Sequence, residues 1–120
     1  MRVLLVDDSE SVLRGLRTLL KGMPQLTICG EAHSGREALA MGEKLKPDTV
    51  VIDLSLPDMN GIEVTREIRR TLPGARIAVF SQHDLPALAA EVIKAGANTC
   101  LKKSSVWSLR EFLKETTPVA

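Results

Sequence analysis

The sequence alternates five times between a short apolar run and a longer stretch in which apolar residues recur with helical period. The apolar runs predict five strands, which cover Val3–Val6, Leu26–Glu31, Thr49–Asp53, Ala75–Phe80 and Thr99–Lys102. Since parallel strands are joined by crossover helices, this alternation predicts a parallel sheet with helices on both faces. Right-handed crossovers leave few topologies, so we predict an α/β fold of five βα units, a doubly wound five-stranded parallel sheet.

Polar capping residues precede the second, third and fourth helical stretches, and Gly22 and Pro24 end the first. The caps are Ser34 with Glu37, Asn60 with Glu63, and Asp84 with Pro86 in its first turn. The apolar residues of each stretch are predicted to face the sheet. They are Val12, Leu13, Leu16, Leu19 and Leu20; Ala38, Leu39 and Leu45; Val64, Ile68 and Leu72; Leu85, Leu88, Ala89, Val92 and Ile93; and Val106, Leu109, Phe112 and Leu113.

The charge balance argues against one class of function. Lysine and arginine total 16 and aspartate and glutamate 15, which gives a formal net charge of +1. We therefore expect no nucleic acid to bind this domain. No apolar run approaches the ~18 residues of a membrane span, and the N-terminus lacks the features of a signal peptide. Cys29 and Cys100 have strand-like neighbours and no metal-type spacing, so we expect buried free thiols in a cytoplasmic protein.

Three aspartates stand where the first and third predicted strands end. Asp7 and Asp8 follow Val6, and Asp53 follows Ile52 without an intervening turn residue. In the flavodoxin-like strand order 2-1-3-4-5 these strands are neighbours, so the carboxylates converge at the sheet edge where ligands bind in open α/β folds. Like charges this close repel each other. A hard divalent cation, Mg²⁺ or in its place Mn²⁺, is the economical counter-charge.

Two of these aspartates also have a purely structural interpretation. Asp8, or Ser9 beside it, can cap the first helix, and Asp53 can open the turn that "LPDMNG" builds. A cap uses one side chain, however, so it explains neither Asp7 nor Asp53.

Polar residues also end the fourth and fifth predicted strands. Ser81 follows Phe80, and a lysine pair, Lys102 and Lys103, follows the last apolar residue of the fifth strand. Taken singly, such residues are usually turn and surface residues. Their shared position beside Asp53 favours a hydroxyl and a cation in the same site. Period-two alternation sends the two lysines to opposite sides without deciding which one enters the site.

In this order, and at these strand ends, the residues resemble the response-regulator receiver domains of two-component signalling. Five positions carry the resemblance: Asp7, Asp8, Asp53, Ser81 and Lys103. "DLSLPDMNG" is similar to the loop after that family's phosphoacceptor, and "AGANTCLKKS" to its approach to the lysine, which selects Lys103 over Lys102. The segments "SQHD" and "AGANTCLKKSS" look most similar to those of receivers joined to helix-turn-helix output domains of the NarL/LuxR type.

The resemblance implies a phosphorylation switch centred on Asp53. This aspartate would take a phosphoryl group from the phosphohistidine of a histidine kinase. Mg²⁺ would be held by Asp8, Asp53, the backbone carbonyl of Ser55 and, through water, Asp7.

The same resemblance assigns the groups that would bind the phosphoryl oxygens. They are the Ser81 hydroxyl, the Lys103 ammonium and the backbone amides of Leu54 and Gln82. The output surface would lie around the fourth helix, fifth strand and fifth helix. Homodimers would form there or through the first and fifth helices.

Two positions depart from the family pattern. Cys100 stands three residues before Lys103, where an aromatic residue usually reports the active state, so coupling through an aromatic side chain is not expected. Ser104 follows the lysine where many relatives have a proline, so an ordinary trans peptide is expected there.

The resemblance places a receiver at residues 1–116 and a tail or the start of a linker at 117–120. The chain could be part of a transcription regulator, a stand-alone regulator or a phosphorelay intermediate. As a receiver it would phosphorylate and dephosphorylate only itself and would not be a turnover enzyme.

Three other hypotheses about the function compete with that of a receiver domain. Aspartyl phosphatases carry Asp-x-Asp, but Ser55 occupies the second position here, so their general acid/base is missing. A flavodoxin-like nucleotide or flavin module would need a phosphate loop or stacking aromatics, which are scarce in this sequence. A degenerate receiver that binds partners without phosphate would not need all of the acids, the hydroxyl and the lysine.

Overall fold

A computed structural model describes residues 1–82 and 86–115 and confirms the predicted α/β fold. The strands are β1 (Arg2–Val6), β2 (Thr27–Ala32), β3 (Thr49–Asp53), β4 (Arg76–Ser81) and β5 (Thr99–Lys102). They form one parallel sheet in the order β2-β1-β3-β4-β5. The helices are α1 (Glu10–Lys21), α2 (Gly35–Leu45), α3 (Gly61–Thr71), α4 (Pro86–Ala95) and α5 (Val106–Lys114). The predicted Asp84 cap and Leu85 lie outside the described residues.

The sheet has an apolar cluster on each face, because successive strand residues point to opposite sides. Leu4 and Val6 of β1 pack with α2, α3 and α4, whereas Val3 and Leu5 pack with α1 and α5. Every residue of β3 is buried, since β3 lies in the middle of the sheet between β1 and β4. A strand covered on both faces and both edges explains the unbroken apolar run that leads into Asp53.

The helix caps agree with the sequence at three points and differ at one. The Ser34 hydroxyl accepts a hydrogen bond from the Glu37 amide at 3.2 Å, and Asn60 Oδ1 accepts from the Ile62 amide at 2.8 Å. Gly22 ends α1 as predicted. The Glu37 carboxylate, by contrast, accepts from the His33 amide at 3.2 Å, one residue before the position that a capping box uses.

Two residues that were predicted to face the sheet are exposed. Ile93 is 46% exposed and Val106 49% exposed. Both lie in helices near the edge strand β5, where α4 has a helical neighbour, α3, on one side. A helix at the edge of a layer buries a narrower stripe than one between two neighbours, so the predicted stripes were too wide.

Cys29 and Cys100 are both free, and both are partly buried rather than fully buried. They lie in β2 and β5, the two edge strands of the sheet, so four intervening strand spacings keep the thiols apart. Among the described helices, none is long and apolar enough to cross a lipid bilayer.

Candidate functional site

The pairing of β1 with β3 brings three carboxylates together at the carboxyl edge of the sheet. Val6 lies opposite Ile52 in this register, so Asp7 and Asp53 follow at the same level. One carboxylate oxygen from each of Asp7, Asp8 and Asp53 lies within 4.8 Å of the others. Asp7 and Asp53 are buried, at 1% and 5% exposure, while Asp8 is exposed. The convergence that was inferred from strand order is therefore present in the structure.

Local backbone groups lie close to the two buried carboxylates. Asp7 Oδ1 accepts a hydrogen bond from the Ser9 amide at 2.9 Å, the contact of an Asx turn. The Ser55 amide lies near enough to Asp53 to lower the pKa of its carboxyl group. Of the two caps predicted for α1, Asp8 and Ser9, the structure confirms Ser9, whose hydroxyl accepts from the Val12 amide at 3.3 Å.

Lys103 supplies the positive charge of the site. Its Nζ atom lies 2.9 Å from Asp7 Oδ2 and 3.0 Å from Asp53 Oδ1, and its side chain is 12% exposed. The Lys103 amide donates to the Ser81 carbonyl at 2.7 Å, which fixes the lysine directly after β5. Lys102, one residue earlier, is exposed. Period-two alternation did not tell which of the two lysines faces the acids, and in the structure it is Lys103.

The electrostatics of the site are those of crowded acids around one cation. Burial raises the pKa of Asp53, and the nearby Asp7 carboxylate adds to this, although Lys103 and the Ser55 amide oppose it. Burial alone would lower the pKa of Lys103, but its contacts with Asp7 and Asp53 outweigh burial and raise it. Lys103 therefore stays protonated and cannot balance three carboxylates alone.

The donor set fits a hard divalent cation. The candidate ligands are carboxylate oxygens, that of Asp7 is held by the Ser9 amide, and Asp8 keeps one side of the cluster open to solvent. A cavity of about 260 Å³ opens at this point and is lined by Asp8, Ser9, Asp53, Ser55, Gln82 and Lys103. Oxygen ligands with room for water are what Mg²⁺ prefers in proteins.

One predicted donor does not face this cavity. The Leu54 amide donates to the Phe80 carbonyl at 3.4 Å, in continuation of the ladder between β3 and β4. The amide that points at Asp53 is that of Ser55, one residue later. Sequence reasoning missed this because only the pairing of β3 with β4 shows which amide is already engaged.

The remaining predicted residues lie as follows. Ser81 is 1% exposed at the end of β4, next to β5, and Gln82 is exposed on the cavity wall. Cys100 pairs with Val79 in the sheet and packs partly buried against the cluster beneath α2, α3 and α4.

The β3–α3 loop (residues 54–60) is closed at its base by backbone contacts. Ser55 and Asn60 form an antiparallel bridge, and the Gly61 amide donates to the Leu54 carbonyl at 2.9 Å. A Cβ atom at Gly61 would lie 2.7 Å from both the Asp53 carbonyl oxygen and the Leu54 Cα. Glycine is therefore required for α3 to begin so close to the site, a role that the sequence alone did not reveal.

Fold and site together define the class of protein: a doubly wound α/β domain with an acidic, lysine-containing pocket at the carboxyl edge of its parallel sheet. The family model of the response regulator receiver domain matches residues 3–114. The chain belongs to this family, whose members act as signalling domains.

The chain is similar to transcription regulators and to a chemotaxis protein. It is 38% identical over 105 residues to the transcriptional regulatory protein LiaR of Bacillus subtilis, which covers 88% of this chain and 50% of LiaR. It is 40% identical over 98 residues to the DNA-binding transcriptional activator DevR/DosR of Mycobacterium tuberculosis, covering 82% of this chain and 45% of that protein. The chemotaxis protein CheY of Thermotoga maritima is 39% identical over 102 residues, covering 85% and 84%. The chain thus spans about half the length of LiaR and DevR/DosR.

Solved structures show the same likeness. A two-component response regulator of the LuxR family from Aurantimonas sp. SI85-9A1 superimposes with a TM-score of 0.85 at 37% identity, covering 95% of this chain and 85% of that chain. The response regulator domain of CheB from Thermotoga maritima has a TM-score of 0.86 at 28% identity, covering 97% and 92%.

Proposed function

We propose that Asp53 accepts a phosphoryl group from the phosphohistidine of a sensor histidine kinase in a Mg²⁺-dependent reaction. The observation that carries this proposal is Lys103 Nζ, which lies 2.9 Å from Asp7 and 3.0 Å from Asp53 inside the acidic pocket. A partly buried lysine that bridges two carboxylates, with a third carboxylate beside them, is suited to accept a dianionic group once a cation joins them.

In the reaction, an Asp53 carboxylate oxygen attacks phosphorus and forms an O–P bond while the P–N bond of phosphohistidine breaks. The electron pair of that bond stays on the imidazole nitrogen, and the product is an acyl phosphate. Asp8, Asp53, the Ser55 carbonyl and, through water, Asp7 would hold Mg²⁺, and the ion would supply positive charge for the phosphoryl oxygens. Mn²⁺ has the same ligand preference and is expected to substitute.

The other groups of the pocket bind and orient the phosphoryl group. The Lys103 ammonium neutralises charge that gathers on its oxygens, and the Ser55 amide takes the place first assigned to the Leu54 amide. The Ser81 hydroxyl and the Gln82 amide complete the set from the end of β4. Movement of Ser81 toward the phosphoryl group then biases the surface formed by α4, β5 and α5, without an aromatic residue at Cys100.

The partner of this switch is proposed to be an output domain for transcription. The support is the likeness to LiaR and DevR/DosR, which are about twice as long as the matched region, and to a LuxR-family regulator. Residues 1–116 are then the receiver and 117–120 a tail or the start of a linker. The likeness to CheY, which the chain nearly covers, supports the alternative of a stand-alone regulator.

The proposed setting is the cytoplasm, with a histidine kinase as donor and self-dephosphorylation as the only hydrolysis. Dimers are proposed to form through α4, β5 and α5 or through α1 and α5. The free state of both cysteines is consistent with a reducing compartment.

The test is incubation with acetyl phosphate and Mg²⁺, followed by mass measurement of the intact protein. We expect the parent to gain one phosphoryl group, chelation of Mg²⁺ to prevent the gain, and Asp53→Asn to show none. Asp53→Asn keeps the shape of the side chain but lacks the nucleophilic carboxylate.

Phosphorylation of Asp53→Asn at the parent's rate would contradict the assignment of the phosphoacceptor. Continuous hydrolysis of acetyl phosphate at a rate far above that of phosphoprotein decay would instead support an aspartyl phosphatase.

A further inference from the structure

The outer part of the β3–α3 loop is fastened to the first turn of α2. Asp58 Oδ1 accepts a hydrogen bond from the Gly35 amide at 2.7 Å, and Asp58 Oδ2 accepts one from the Arg36 amide at 3.0 Å. These two amides have no partner within their own helix, because the first turn of a helix leaves its N–H groups unpaired. The Arg36 and Gly35 amides lower the pKa of Asp58, so its carboxylate is charged at neutral pH.

The local cap of α2 does not need Asp58. The Ser34 hydroxyl accepts from the Glu37 amide at 3.2 Å, which provides the N-cap that sequence analysis predicted. The amides bound by Asp58 lie in the first turn of the helix, where water can also serve as the hydrogen-bond acceptor. The Asp58 contacts therefore do more than start α2, since they join it to a loop that lies 23 residues away in sequence.

A second contact joins the same loop to the same turn. A Cβ atom at Gly35 would lie 2.7 Å from Met59 Cβ and 2.8 Å from Met59 Sδ. Only a glycine lets the loop approach α2 so closely. This contact is apolar and independent of the charge on Asp58, so two different interactions hold the loop against α2.

The fastened loop carries the main chain of the candidate site. Ser55 lines the cavity of the site beside Asp53, and the Ser55 carbonyl is a proposed metal ligand. Between Ser55 and Asp58 stand only Leu56 and Pro57, and proline restricts both its own φ and the residue before it. Because the Ser55–Asn60 bridge closes the base of the loop, Asp58 has little freedom to move without moving Ser55.

We propose that Asp58 is a positioning residue for the phosphoacceptor site, which fixes the main chain of Ser55 by anchoring the β3–α3 loop on the N-terminus of α2. The role of the Ser55 carbonyl in this inference rests on the function proposed above. A residue of this kind acts as the outer-shell partner of a metal ligand does: it touches neither metal nor phosphoryl group but holds the group that does.

The experiment compares Asp58→Ala with Ser34→Ala as its matched control. Both variants remove a side-chain cap from the first turn of α2, but only Asp58→Ala removes the polar attachment of the β3–α3 loop to that turn. By isothermal titration with Mg²⁺, we expect Asp58→Ala to weaken binding about 10-fold, the lower end of the loss for an outer-shell partner. Ser34→Ala should bind as the parent does, and Asp58→Asn, which keeps one amide acceptor, should fall between the two.

A second measurement needs no metal. In amide NMR spectra of the metal-free proteins, the Ser55 amide resonance should shift in Asp58→Ala and stay in place in Ser34→Ala. If the parent binds no Mg²⁺, the proposed function fails, and this resonance alone then decides whether Asp58 positions Ser55.

Equal Mg²⁺ affinity in all variants, or a Ser55 resonance that stays unmoved in Asp58→Ala, would overturn the inference and leave the proposed function standing. Equal losses in Asp58→Ala and Ser34→Ala would also overturn it, because they would show that Asp58 only stabilises the helix.

Discussion

Charged residues play opposite parts at the two ends of the parallel strands, which we call the amino edge and the carboxyl edge of the sheet. At the amino edge, where the strands begin, arginine side chains donate hydrogen bonds to neutral oxygen atoms. Arg69 is the clearest case: its guanidinium lies 2.9 Å from Gly96 O, 2.9 Å from Pro73 O, 2.6 Å from Ala75 O and 3.0 Å from Asn98 Oδ1. At the carboxyl edge, Lys103 faces acids that outnumber it.

Other arginines at the amino edge follow the same pattern. Arg2 donates to the Leu45 carbonyl at the end of α2. Arg76 donates to the Phe112 carbonyl at 3.5 Å and lies 4.1 Å from the centre of the Phe112 ring, and the exposed Glu115 carboxylate lies 3.8 Å from its guanidinium. In the carbonyl contacts a cation meets the negative end of a helix, which stabilises it without a buried counter-charge.

The comparison indicates that the amino edge of the sheet stabilises the fold, whereas the carboxyl edge is arranged to bind a ligand. A guanidinium surrounded by carbonyl oxygens has its hydrogen-bond donors satisfied, and it holds the neighbouring loops in place. A cluster of carboxylates with one lysine keeps an excess of negative charge, which can bind a metal ion, and the bound ion can then attract a phosphoryl group. Substitutions at the two edges should therefore separate stability from ion binding.

The largest expected effect is at the amino edge. Arg69→Ala removes the donor for four oxygen atoms that tie α3 to the segments before β4 and β5, and should lower the free energy of unfolding by about 3 kcal/mol. Denaturant unfolding measures this. Arg70→Ala is the control, because exposed Arg70 pairs with Glu67 inside the same helix, and its loss should be much smaller. Weaker Mg²⁺ binding in Arg69→Ala would contradict the claim that substitutions at the amino edge change stability without changing ion binding.

An intermediate effect is expected at the carboxyl edge, and it should depend on metal. Lys103→Met keeps the apolar stem but leaves Asp7 and Asp53 without their cation, and should cost about 2 kcal/mol of stability in metal-free protein. Mg²⁺ should raise the melting temperature more in this variant than in the parent, because the ion replaces the lost charge.

Lys102→Met is the control for this variant, because it removes the same charge from the exposed neighbour, and it should behave as the parent does. If Lys103→Met no longer bound Mg²⁺, the lysine would be a structural part of the metal site rather than a counter-charge beside it.

The smallest effect is expected at the start of β3. The Thr49 hydroxyl is buried and has no hydrogen-bond partner among the described residues, so Thr49→Val should raise the free energy of unfolding by about 1 kcal/mol. Thr65→Val is the control of opposite sign, since the buried Thr65 hydroxyl donates to the Gly61 carbonyl at 2.7 Å. A loss of stability in Thr49→Val measured by the same denaturant titration would contradict this.

Much of the fold could be predicted because it follows from local pattern. The bounds of β3 and β5 agree with prediction, and those of β1, β2 and β4 differ by a residue at one or both ends. The predictions for Ile93 and Val106 were wrong because apolar spacing marks a face of a helix but does not tell how much of that face a neighbour covers.

The site was predictable to the level of residue type and sheet edge. Polar residues that end parallel strands must meet at one edge, whatever their partners. The Leu54 amide was predicted to bind the phosphoryl group, and only the pairing of strands shows that it donates to the Phe80 carbonyl across the sheet. The contacts of Asp58 with Gly35 and of Arg69 with Gly96 left no local signal, since these pairs lie 23 and 27 residues apart in sequence.

The sequence by itself determined which segments form strands and helices and which side chains end the strands, because periodicity and capping act between residues a few positions apart. Only the tertiary structure decided which amide of the β3–α3 loop is engaged across the sheet and which aspartate contacts the first turn of α2. These outcomes depend on distances between separate elements, and such distances exist only after the sheet and its helices have packed.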